Sequence, residues 1–91
     1  MIIQHPLVPA GYKQITLTGA VSIIVPPPNA VHVIIQPSGD IRIRDDGKSP
    51  SSSTGIKVAN AATFELASAS RELLIYGANG VVVDLLWHSE I

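Results

Sequence analysis

The pattern of this chain predicts an all-β fold, a small β-sandwich or jelly-roll-like barrel of about eight short antiparallel strands. Three observations lead there. Val, Ile and Thr dominate the segments that alternate with period two. Clusters of Gly, Pro, Asn and Ser cut the chain at short intervals and leave runs of strand length between them. The segment richest in helix formers, residues 67–74, has its apolar stripe interrupted by Ser68-Ala69-Ser70 and reads as turn then strand.

In order, residues 1–10 read as an extended arm, because Pro6 and Pro9 alternate with apolar residues. Ile2, Ile3, Leu7 and Val8 lack a pattern that buries them in their own domain, so they are the expected contact with a neighbouring subunit. A single sandwich domain takes residues 11–91. Residues 12–17 form its first strand, Gly19 turns the chain, and residues 20–25 form the second. Pro26-Pro27-Pro28 donates no backbone hydrogen bonds and must leave the sheet in a polyproline bend. In residues 31–36, Val31, Val33 and Ile35 share one face and His32, Ile34 and Gln36 the other. Pro37-Ser38-Gly39-Asp40 supplies turn chemistry before Ile41 and Ile43 alternate with Arg42 and Arg44. Together these predict a β-hairpin.

Asp45-Asp46-Gly47 closes that strand, and residues 48–54 are too polar and Ser-rich to pack a core, so they read as a solvated loop. Gly55 restarts order, with Ile56 and Val58 facing inward. Residues 59–62 turn, and residues 63–67 place Phe64 and Leu66 on one face and Glu65 on the other. Residues 73–76 form a strand that stops at the turn Gly77-Ala78-Asn79-Gly80. In the last strand, residues 81–88, Val81, Val83, Leu85 and Trp87 alternate with Val82, Asp84, Leu86 and His88. Both faces are largely apolar, which predicts a central or doubly covered strand.

Composition narrows the function. Hydrophobic residues make up 46% of the 91 and charged residues 14%, against about 25% charged in ordinary soluble domains. So small a domain has little interior for that much apolar side chain, which predicts a homo-oligomer or a larger assembly. Net charge is -1 and the six basic residues are scattered, which argues against nucleic acid. The N-terminal stretch has no basic region of a signal peptide, and no apolar run approaches the roughly 20 residues of a membrane span. The expected setting is soluble, away from membranes, after synthesis in the cytosol.

No enzyme emerges from the residues, and no cofactor is called for. Asp40, Asp45 and Asp46 lack the alternating oxygen ligands and distant Glu of a calcium loop. His5, His32 and His88 lack metal-ligand spacing, so folding or symmetry would have to bring them together. The serines of residues 49–53 have no partner base or nucleophile elbow. Arg42 and Arg44 beside Asp45 and Asp46 read as ion-pair residues, across strands or to a neighbouring subunit. Trp87 is the candidate aromatic contact, in the core or at an interface. With Tyr76 and Tyr12 it would form the stacking platform of a carbohydrate-binding module, the alternative reading.

The run Asp40-Ile41-Arg42-Ile43-Arg44-Asp45-Asp46-Gly47, then Pro50-Ser51, then Gly55-Ile56, resembles a group of small proteins encoded among phage and prophage virion genes. In that group an apolar strand, an I-R-x-R-D-D-G turn, a P-[ST] pair and a G-[IM] restart recur, and the chain typically closes on two aromatics. The likeness spans roughly residues 31–75 and the tail. Trp87-His88 stands where the aromatic pair would be, and the first thirty or so residues carry no matching motif. The resemblance implies a non-enzymatic virion protein made in the host cytoplasm. It would be a capsid cement or decoration protein, trimeric and bound to the major capsid protein or other virion proteins, or else a small tail or neck component.

Overall fold

The computed structural model describes residues 7–67 and 71–90. Among them are eight strands and no helix: β1 (Leu7–Thr16), β2 (Ser22–Ile24), β3 (Ala30–Pro37), β4 (Ile41–Arg44), β5 (Ile56–Val58), β6 (Phe64–Leu66), β7 (Leu73–Gly77) and β8 (Val82–Glu90). The expected turn at residues 68–70 lies outside the described residues.

The strands form two four-stranded antiparallel sheets, a first of order β1-β8-β3-β6 and a second of order β2-β7-β4-β5. Strands pair from the ends of the chain inward: β1 with β8, β2 with β7, β3 with β6 and β4 with β5. That is one long hairpin rolled on itself, the jelly-roll form of a β-sandwich. The fold class read from the sequence is therefore the one adopted, and β8 is central in its sheet as its two apolar faces predict.

One connection differs from expectation. β3 and β4 do not form a hairpin, because they lie in opposite sheets and residues 38–40 are a corner between them. Hydrogen bonds turn the chain out of the first sheet. Ser38 N–H donates to the Val82 carbonyl at 2.8 Å, and Val82 N–H donates to Ser38 Oγ at 2.9 Å. Gly39 then passes so close to Val81 that an added Cβ would stand 2.8 Å from its Cγ2. Gly77-Ala78-Asn79-Gly80 is likewise a corner, from the second sheet back to the first. The hairpin that remains is β4–β5.

The core lies between the sheets. Val33, Ile35, Val83, Leu85 and Trp87 face it from the first sheet, and Ile41, Ile43, Val58, Leu73 and Ile75 from the second; each is at most 5% exposed. No polar or charged side chain is buried among the described residues. Ile56 departs from the inward reading. It is 56% exposed, because β5 is a three-residue edge strand flanked, among the described strands, by β4 alone.

β1 starts at Leu7, so residues 7–10 join the sheet that the sequence pattern begins after residue 10. β8 provides the reason. At nine residues it is long enough to pair Leu7 with Glu90, Val8 with Ser89 and Pro9 with His88. The β1 register shifts between Pro9 and Gly11, and the β3 register shifts between Ala30 and His32. Both irregularities flank the same β8 residue, His88.

Candidate assembly interface

The motif of residues 40–56 builds a clasp for the β4–β5 hairpin. Arg44 grips Asp46 with both arms of its guanidinium, Nε to Oδ1 at 3.0 Å and Nη2 to Oδ2. Asp46 Oδ1 also accepts the Lys48 N–H at 3.3 Å. The ion pair holds the Asp46 carboxyl down to about 2 and raises Arg44. Gly47 sits at φ 81° and Gly55 at φ 115°, left-handed conformations that side chains resist. A Cβ on Gly55 would lie 3.0 Å from the Ile43 carbonyl oxygen. Arg42 Nη1 donates to the Gly55 carbonyl at 3.0 Å.

The Ser-rich loop is solvated, with Ser49, Ser52, Ser53 and Thr54 exposed, and is closed by local bonds. Ser51 N–H donates to the Thr54 carbonyl at 2.9 Å, Thr54 N–H returns a bond at 3.4 Å, and Pro50 is buried. Of the expected interface ion pairs, Arg44 and Asp46 are joined to each other within one turn and Arg42 to backbone. Asp45 is half-buried beside them. The positive-φ glycines are what let these partners meet.

Trp87 is 4% exposed and packs in the core, because strict alternation along β8 turns residues 83, 85 and 87 inward. It offers no stacking surface. Tyr76, in register with Arg42, is half-buried on the second sheet, while Tyr12 is 62% exposed on the first. The three aromatics do not assemble into a platform. Of the arm residues, Ile2 and Ile3 lie outside the described residues, and Leu7 and Val8 belong to β1.

An apolar surface does appear on β2, an edge strand. Ile24 is buried, so alternation turns Ile23 and Val25 outward, 60% and 67% exposed. Ile23 pairs across the sheet with Leu74, and Leu74 with Arg44. Pro26, Pro27 and Pro28 continue the apolar surface over β1, where Gly11 leaves room for Pro27; a Cβ there would meet its Cγ at 3.3 Å. These residues line a groove of about 690 Å³ with Arg71, Glu72 and Asp46 also on its wall. A second, smaller recess of about 420 Å³ opens where Ile43, Ile56, Phe64, Leu66 and Leu73 come together. Asp46 borders both. The sequence signal for the larger groove was a strand with no polar residue on its outward positions, running directly into three prolines.

The outer face of the first sheet is more polar. Tyr12 Oη donates to Asp84 Oδ1 at 2.6 Å and Gln14 Nε2 donates to the same oxygen at 2.9 Å. These bonds lower the Asp84 carboxyl below its usual range, and the carboxylate raises the Tyr12 phenol. Beyond them His32 and His88 stand side by side, with Nδ1 atoms 3.3 Å apart. Among the described residues no helix is long and apolar enough to cross a membrane. Comparisons with family models, with curated proteins and with solved structures gave no match.

Proposed function

We propose that this chain is a non-enzymatic structural protein of a phage particle, a capsid cement or decoration protein that works as a homotrimer bound to the major capsid protein. The observation that carries the reading is the β2 edge. Ile23 and Val25 face solvent beside three prolines, on a strand edge that no described strand pairs, in a chain with only 14% charged residues. An apolar edge strand exposed in this way is an association site unless something covers it, and the occupant proposed is a second copy of the chain. The jelly roll, a fold that recurs in capsid proteins, is compatible with the role by analogy alone. The phage-like motif adds to it. A small tail or neck component is the alternative location for the same assembly surface.

Mass spectrometry of purified particles with copy number tests the location. Hundreds of copies per particle are expected, a few to a few dozen would transfer the protein to the tail or neck, and absence would overturn the virion reading.

A further inference from the structure

The outer face of the first sheet holds a feature that an assembly role does not use. His32 on β3 and His88 on β8 are register partners, half-buried, with ring centroids 5.4 Å apart and planes inclined at 50°. Their Nδ1 atoms point at each other across 3.3 Å. Two backbone irregularities flank that pair. In an unbroken strand, Ala30 and His32 would share a face. The shift between them leaves Val31 as the extra residue and turns Ala30 inward, while His32 keeps the regular register that runs on through Val33 and Trp87. On the other side of β8 the shift between Pro9 and Gly11 brings Pro9 opposite His88. Bulges of this kind re-aim side chains and collect at functional sites.

We propose that His32 and His88 form a binding site for a divalent transition-metal ion of the Zn²⁺ class, ligated by the two Nδ1 atoms. Imidazole nitrogens bind such ions at about 2.0–2.1 Å, so a tetrahedral angle places two of them about 3.3–3.4 Å apart, and the pair already has that bite. Tautomer chemistry agrees. Glu65 Oε2 lies 3.8 Å from His32 Nε2, which favours the proton on Nε2 and leaves the His32 Nδ1 lone pair facing His88. A carboxylate behind a ligating histidine is the usual orienting partner. Without metal, one ring's Nδ1–H donates to the Nδ1 of the other. With metal, His88 carries its proton on Nε2 and both Nδ1 lone pairs face the ion. No group of three or more His, Cys, Asp or Glu converges among the described residues, and the remaining coordination positions would be open to water. The ion would bridge β3 to β8.

The test is calorimetric titration of the full chain with ZnCl₂, with imidazole ¹⁵N spectra to identify the nitrogen that binds. One Zn²⁺ per chain is expected, coordinated at Nδ1 of both rings. Binding should weaken at least tenfold in His32→Ala and in His88→Ala, with the far-UV circular dichroism spectrum unchanged, and by about tenfold in Glu65→Gln. His5→Ala should bind as the parent does. No saturable binding up to about 1 mM, coordination through Nε2, single-histidine variants that bind like the parent, or loss in His5→Ala would each overturn the site and leave a histidine–histidine hydrogen bond. None of these results depends on whether the protein is found in particles.

Discussion

Gly77 shows how tightly β7 is packed. A Cβ there would lie 2.6 Å from Cδ1 of Leu17, just beyond β1, and 3.0 Å from Cγ2 of Ile41, its register partner on β4. Gly77→Ala should therefore cost about 1–3 kcal/mol by overpacking and lower the melting temperature by several degrees, and an unchanged melting curve would contradict the packing. Charged residues set the acid response. A carboxyl lowered on folding contributes its stabilisation fully above its unfolded value and loses it as pH falls through the folded one. For Asp46 that window runs from 3.8 to about 2, and Asp84 shifts in the same direction. Tyr12 is the reverse. Its phenol is raised, so its contribution is complete below 10.0 and is lost as pH rises through the folded value. Urea midpoints should fall across the acid window and fall less in Asp46→Asn. An equal acid loss in that variant would remove the Arg44 clasp as its source.

At the scale of elements, the sequence placed all eight strands but misread how two of them are joined. Pro37-Ser38-Gly39-Asp40 has the chemistry of a tight turn, and the same residues serve a hairpin or a corner between sheets. What separates the two is Ser38 bonding to Val82, a partner 44 residues away that no local pattern reveals. The start of β1 was hidden for a related reason. Prolines at 6 and 9 suggested an arm, yet Pro9 is tolerated because β1 is an edge strand beside a bulge. A chain beginning at Leu7 should keep the pairs that Leu7, Val8 and Pro9 make with β8, whereas one beginning at Ala10 should lose them. Hydrogen exchange at Ser89 and Glu90 checks this, with faster exchange expected only in the shorter chain. Equal exchange in both would mean that residues 7–9 do not hold β8.

For the whole molecule, the all-β class was legible because alternation and turn residues agree along the chain. The exposed apolar edge of β2 was not. Leu7 and Val8 pair with β8, Arg44 and Asp46 pair with each other and Arg42 bonds backbone, while Ile23 and Val25 became recognisable only once the burial of Ile24 fixed which side of β2 faces out. The histidine pair was equally hidden, since His32 and His88 are 56 residues apart and meet only because β8 lies beside β3. The claim that the β2 edge joins copies of this chain is tested most directly by sedimentation equilibrium of the parent and of the Ile23→Glu, Val25→Glu double variant. At concentrations of roughly tens of micromolar, where an interface of standard size holds, the parent should sediment as a trimer and the variant as a folded monomer. A parent that sediments as a monomer, or a variant that remains a trimer, would contradict it.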